Sequence, residues 1–257
     1  MGHYATMVDG CADRTFVLMD ADNFYYGHDE ERLAAALRAD VQTLAGLAAR
    51  LAPITHLSVR LYGGWLDEGR LTQAGSKALI AMSRSEIFPL FPLSRSGSPI
   101  RGDLELATAL LEEPNIRWEH TFSARPGSPQ LRLAKTTLPA SCTSHPQACA
   151  ARALVRFTGG PASRCPVPGC TVTNSEAFET RGQKMVDAML ICDLLYASAT
   201  GEVACVIVVT DDWDMLPAIV AAARQVARVV WVRRNSQRAQ PYDAALRGHG
   251  VLIETWR

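Results

Sequence analysis

The stretch VVTDDWDM, Val208 to Met215, follows directly on Cys205-Val206-Ile207. An uninterrupted apolar run bounded by turn residues reads as a strand buried on both faces. This one ends in Asp211, Asp212 and Asp214, three carboxylates within four positions. Like charges that close repel, and folding alone gives no reason to gather them at the mouth of a buried element. The pattern asks for a neutralising partner.

The neighbourhood repeats one rhythm. Lys184 to Ala197 is apolar at helical spacing, Val203 to Val209 is the buried strand, Leu216 to Val226 is helical, Val229 to Val232 is another apolar strand, and Val251-Leu252-Ile253 adds a last short one. The N-terminal part matches it. Thr15 to Met19 is an apolar run ending at Asp20-Ala21-Asp22-Asn23, Glu30 to Leu51 is a helix that stops before Pro53, and His56 to Tyr62 is a strand closed by Gly63-Gly64. Strand, helix, strand in sequence implies right-handed parallel connections. The expected fold is a Rossmann-like α/β domain, a parallel sheet with helices on both faces.

Between the halves the texture changes. From about 91 to 179 the chain is rich in Pro, Gly, Ser and Arg, and this stretch holds four of the seven Cys. It reads as an insertion into a single domain spanning 1–257. Trp118 to Arg125, the turn Pro126-Gly127-Ser128-Pro129 and Gln130 to Thr137 suggest a β-hairpin. Cys142, Cys149, Cys165 and Cys170 lie on turns in two pairs, an arrangement that suits a structural Zn²⁺, with His145 able to replace one thiolate. Cys192 and Cys205 sit in apolar runs, where Cys acts as a small hydrophobe.

The 257 residues are 48% hydrophobic and 20% charged, as in globular proteins. Lys plus Arg and Asp plus Glu are 26 each, so no overall field attracts a polyanion, and any such partner must be held by a local patch or a metal. The chain shows no leader pattern and no apolar run long enough to span a bilayer, so a cytoplasmic protein without a membrane partner is expected. Seven Cys without a leader argue for thiols or metal ligands over a disulfide framework.

In parallel sheets the ligand crevice lies outside the carboxyl ends of the strands, where strand order reverses. Asp20 and the group Asp211, Asp212 and Asp214 close two strands and so are expected near one crevice. Mg²⁺ or Mn²⁺ takes hard oxygen ligands, commonly one or two carboxylates completed by phosphate and water. The plainer reading makes Asp212 or Asp214 the N-cap of the helix that follows.

Several motifs resemble the NYN domain of the PIN-like nuclease superfamily, in its LabA-like branch. FVLMDADN, Phe16 to Asn23, looks like that family's opening strand with D-x-x-N. KMVDAMLICD, Lys184 to Asp193, is similar to its K-G-V-D helix with a second Asp six residues on. VVTDDWDM resembles its S-G-D-S-D-F strand end, with Asp212 and Asp214 in the two Asp positions, and Arg60-Leu61-Tyr62 is similar to its second strand. Met185 and Asp211 stand where the family has Gly, Trp213 where it has a small residue, and Met215 where it has an aromatic one. The resemblance covers about half the chain.

The resemblance implies metal-dependent hydrolysis of RNA phosphodiester bonds by an endoribonuclease, with Asp20, Asp187, Asp212 and Asp214 holding Mg²⁺ or Mn²⁺ and Asn23 orienting water or phosphate. Lys184, Trp213, Arg233 and Arg234 are candidate substrate contacts. Asp193 faces another way on an ideal helix and is the weaker carboxylate. The expected partner is RNA, including tRNA or other structured RNA, and a homodimer or a protein partner is compatible with it. Two alternatives stand beside this. Asp20-Ala21-Asp22 resembles the haloacid-dehalogenase phosphatase pattern, with Asp20 as nucleophile, although Phe24 occupies the place of its Thr. The other is a catalytically silent RNA- or protein-binding module.

Overall fold

A computed structural model describes residues 13–25, 27–90, 99–132, 149–225, 227–234 and 241–256. In chain order these form β1 (Arg14–Asp20), α1 (Ala21–Tyr25), α2 (Glu30–Leu51), β2 (His56–Tyr62), the short pair β3 (Leu66–Asp67) and β4 (Arg70–Leu71), α3 (Gln73–Ser85) and β5 (Arg101–Leu106). There follow β6 (Phe122–Pro126), α4 (Ala150–Phe157), α5 (Asn174–Ala177), β7 (Glu179–Gln183), α6 (Val186–Ala199) and β8 (Val203–Val209). A 3₁₀ turn (Trp213–Met215), α7 (Leu216–Ala222), β9 (Arg228–Arg233), α8 (Asp243–Gly248) and β10 (Leu252–Thr255) complete the chain. Two compact units result, one running to Thr121 and resuming at Gln183, the other Phe122–Gly182.

The first unit is built on a six-stranded sheet in the order β10-β9-β8-β1-β2-β5, and every neighbouring pair is parallel. Numbered along the chain this is 3-2-1-4-5-6 read from the β5 edge, the doubly wound order of Rossmann folds. The α/β parallel sheet read from the sequence is therefore the fold.

Alternation along each strand makes two cores. Val17, Met19, Val59, Leu61, Ile207 and Val209 face α2, where Leu33, Leu37, Val41, Leu44 and Ala48 form one stripe. Phe16, Leu18, Val206, Val208 and Trp231 face the other side, against Leu190 and Leu194 of α6 and Ile219 of α7. Burying each such side chain contributes about 1.5–3 kcal/mol, which makes these faces the main source of stability. Local signals set the helix ends. Asp29 caps α2 by accepting the Arg32 N–H at 2.8 Å, and Thr72 caps α3 by accepting the Gly75 N–H at 3.0 Å.

Several expectations need correction. The insertion does not begin near 91, because β5 belongs to the main sheet beside β2. Its sequence, RGDLEL, hid it. This edge strand is partly exposed throughout, and Gly102 sits where a Cβ would fall 2.1 Å from the Leu57 carbonyl oxygen. The proposed hairpin is different too: among the described residues β6 pairs with β7, and 130–132 form no strand. Residues 133–137 of the expected second arm lie outside the described residues. Cys192 is exposed, while Cys205 is fully buried, and burial pushes its thiol up to about 12.

The second unit is organised around Asn174, which is almost wholly buried. Its side-chain amide donates to Ser128 Oγ (2.7 Å) and the Phe157 carbonyl (3.0 Å), and its oxygen accepts the Ser128 N–H (2.9 Å). Phe157 packs on Phe178 with ring centroids 5.4 Å apart. Thr173 and Glu176 form a capping box on α5.

Inside the first unit, Asp193 of α6 is a structural acid. It accepts from Tyr62 Oη (2.5 Å) and the Leu111 N–H (2.7 Å), and Arg60 Nε lies 3.5 Å from it. Burial raises its pKa, opposed by Arg60, Tyr62 and the Leu111 N–H. Replacing Asp193 with Ala leaves the buried Arg60 charge with half-exposed Glu105 as its carboxylate partner among the described residues, beside the Ala109 carbonyl that accepts from it at 2.6 Å. Urea denaturation of Asp193→Ala is expected to show a loss of roughly 3 kcal/mol. A loss below about 1 kcal/mol, the worth of an exposed pair, would contradict this role.

Candidate functional site

β1 and β8 run side by side with Met19 opposite Val209. This seam is the switch point, where connections leave in opposite directions, the place where this fold class keeps its ligands. Thr210 follows β8 directly and is fully buried. Its N–H donates to the Val232 carbonyl (3.1 Å) and its carbonyl accepts from Trp231 Nε1 (2.9 Å). Its hydroxyl donates to Asp20 Oδ2 (3.3 Å) and accepts the Asp212 N–H (3.1 Å). One hydroxyl holds the β1 carboxylate and the acidic turn in a common frame. Sequence reasoning passed over Thr210; the available signal was a hydroxyl residue between a buried strand and an acidic turn.

The acids of the turn then separate. Asp211 accepts the Arg234 N–H at 2.8 Å, tying the turn to the end of β9. Asp212 caps the 3₁₀ turn by accepting the Asp214 N–H at 2.8 Å on Oδ1. The N-cap reading therefore holds for Asp212, and its second oxygen stays available. Asp214 is exposed.

Asp187 enters from the first turn of α6. Burial raises its pKa first, and the negative charges of Asp212 and Asp214 raise it further. The residue is largely solvent-accessible, so water screens part of that repulsion. The structure thus brings Asp187, Asp212 and Asp214 within electrostatic reach, and Asp20, 5% exposed, joins them through Thr210. Among the described residues no three His, Cys, Asp or Glu side chains form a ready ligand set for a metal ion. The donors are hard carboxylate oxygens that repel one another.

The remaining candidates divide. Arg233 is not available to substrate: it is buried, its terminal nitrogens pair with Asp243 at 2.8 and 2.7 Å, and its guanidinium lies 4.8 Å from the Trp231 ring centroid. Arg234 is exposed, with its guanidinium 4.5 Å over Phe24. Lys184 anchors the chain before α6 through its N–H to the Thr121 carbonyl (2.9 Å), and among the described residues no ion pair joins it to Asp187. Trp213 is 45% exposed and meets Tyr242, 51% exposed, edge-on at 5.7 Å. Asn23 lies in α1; its side chain is outside the described part of the structure.

Met185 stands at φ 61°, a left-handed position just before α6. Glycine takes that conformation without cost, whereas a side chain such as that of Met185 does not. Of the proposed zinc ligands, Cys142 and its alternative His145 lie outside the described residues. Cys149, Cys165 and Cys170 form no group that could hold a metal ion among the described residues.

Compared with family models, curated proteins and solved structures, the chain gives no match.

Two outcomes test this geometry. A carboxyl whose pKa is raised on folding stabilises the fold at low pH, and that contribution is lost as pH rises through the folded-state value. Asp187→Asn is therefore expected to raise the melting temperature at neutral pH in metal-free buffer, with the gain fading below the carboxylate range. A lower melting temperature at neutral pH would contradict the repulsion. Met185→Gly relieves the left-handed strain against a greater loss of chain entropy, and is expected to gain about 0.5–1 kcal/mol in urea denaturation; a net loss would contradict the strain.

Proposed function

We propose that the chain is a Mg²⁺- or Mn²⁺-dependent ribonuclease of the NYN type, hydrolysing RNA phosphodiester bonds at the β1/β8 switch point. The observation that carries this reading is the convergence of Asp187 with Asp212 and Asp214, acids from separate parts of the chain, within electrostatic reach at the place where this fold class keeps its ligands. When bound, the divalent ion supplies an activated water and neutralises charge on the phosphoryl oxygens.

The protein's own residues do the rest. Asp187, Asp214 and the free oxygen of Asp212 present the negative face that recruits the cation. Thr210 fixes Asp20 and the turn so that the acids keep their spacing. Asp187 stands in the first turn of the 14-residue α6, whose amino end favours an anion such as the scissile phosphate. Lys184, two residues before that helix, adds a positive charge on the same side. Trp213, with Tyr242 at its edge, offers an exposed ring on which an unpaired base stacks.

The phosphatase alternative is less well supported. Asp22, which would serve as its general acid, accepts from the Gly64 N–H and from Gln183 Nε2 on one oxygen.

The test is incubation of the purified protein with total RNA, a DNA strand and an aryl phosphate, each with Mn²⁺ or EDTA. RNA is expected to be degraded only with the metal, and Asp212→Asn to slow this by about 100-fold, the scale of losing one electrostatic element of a site. Turnover of the aryl ester alone would support the phosphatase, and no turnover of any substrate a silent binding module.

A further inference from the structure

A second concavity lies at the same carboxyl edge of the sheet but on its opposite face. The carboxylates Asp187, Asp212 and Asp214 stand with α6 and α7 over the core of Val186, Met189 and Met215. The cavity lies over the other core, enclosed by Ala21, Leu33, Leu61, Trp65 and Ala78 beneath α2 and α3. Its volume is about 230 Å³. That falls below the roughly 300 Å³ at which sites for drug-sized ligands begin, so it admits one small ring system rather than a dinucleotide.

The walls are aromatic, from Trp65, Tyr25 and His28. Trp65 Nε1 is already spent on the Leu61 carbonyl (2.7 Å) and Tyr25 Oη on Asp40 (2.8 Å), so both present ring surface. Three polar groups at the cavity have capacity left over. Asp22 accepts the Gly64 N–H (3.3 Å) and Gln183 on Oδ2, leaving Oδ1 without a hydrogen bond among the described residues. Lys77 has no carboxylate within ion-pair distance among the described residues. His28 Nδ1 is buried without a partner. Burial, with Arg32 and Arg234 nearby, favours the neutral imidazole, so this nitrogen can serve as donor or acceptor.

We propose that this cavity binds a single guanine base, with Asp22 Oδ1 accepting from its ring and exocyclic N–H groups and Lys77 donating to its carbonyl oxygen. A carboxylate and a cation lining one small cavity suit a ligand with donors on one edge and an acceptor beside them. Guanine carries that combination: O6 and N7 accept and the N2 amino group donates. Adenine puts an amino group where the Lys77 ammonium needs an acceptor. Aromatic walls suit either purine, so the polar pair does the discriminating. The base belongs either to a free nucleotide or to an RNA strand, and the pocket's chemistry is the same for both. The inference does not depend on the nuclease reading, because none of the carboxylates facing α6 lines the cavity.

The test is calorimetric titration of the full chain with guanosine, adenosine, a short single-stranded RNA containing one G, and the same RNA with A in its place. Guanosine is expected to bind at least tenfold more tightly than adenosine, the lower end of what one specific base contact supplies. Asp22→Asn and Lys77→Met are each expected to weaken guanosine tenfold or more, and Asp212→Asn to leave it unchanged. Tighter binding of the G-containing RNA than of guanosine assigns the pocket to a strand base; the reverse assigns it to a free nucleotide. Equal affinity for guanosine and adenosine, no binding of either, or full affinity in a folded Lys77→Met variant overturns the proposal. RNA cleavage can fail while guanosine binding succeeds, so this outcome and that of the nuclease reading are separable.

Discussion

Asp187 stands within electrostatic reach of Asp212 and Asp214 at the carboxyl edge of the sheet, and their charges add to burial in raising its pKa, a convergence that the two apolar cores must hold together. Two of these acids follow the central strand β8 and the third begins α6, and the doubly wound order brings those two elements to one edge. Burial raises the pKa of Asp187, and the charges of Asp212 and Asp214 raise it further, so the convergence costs the fold stability at neutral pH.

Elsewhere the unit treats acids differently. Asp193 sits beneath the sheet edge with Arg60 beside it and two hydrogen bonds on its oxygens. Asp243 receives both terminal nitrogens of Arg233. Where an acid is buried for structure, an arginine accompanies it, as desolvation of a lone charge requires. Asp187, Asp212 and Asp214 have no Lys or Arg within ion-pair distance among the described residues. Thr210 positions this group without neutralising it, since a hydroxyl contributes hydrogen bonds and no charge.

Much of this was legible because the signals were local. Continuous apolar runs marked β1, β8 and β9, and the acids that close β1 and β8 stood out at the carboxyl edge of the sheet. The reading failed where tertiary context decides. β5 carries two acids and a glycine, and only its place beside β2, with Leu57 and Phe88 pressed on Gly102, makes it a strand. The partner of β6 is β7, far along the chain, and no local pattern announces such a pairing. Arg233 and Arg234 are adjacent in sequence, yet one is buried on Asp243 and the other is exposed beside Phe24. Sequence could place both at the sheet edge but could not tell which way each turned. Asp22 was legible as an acid at a strand end; its role at a cavity emerged only once α2, α3 and Trp65 closed around it.

The most direct test of the central claim is paramagnetic broadening of backbone amide signals by substoichiometric Mn²⁺, which reports where a divalent ion sits regardless of turnover. The account predicts selective loss of the signals of Asp20, Val186, Asp187 and the Asp211–Asp214 turn, with Asp13 and Glu202, before the amino ends of β1 and β8, spared. Broadening spread evenly over surface acids, or centred on another part of the chain, would contradict it.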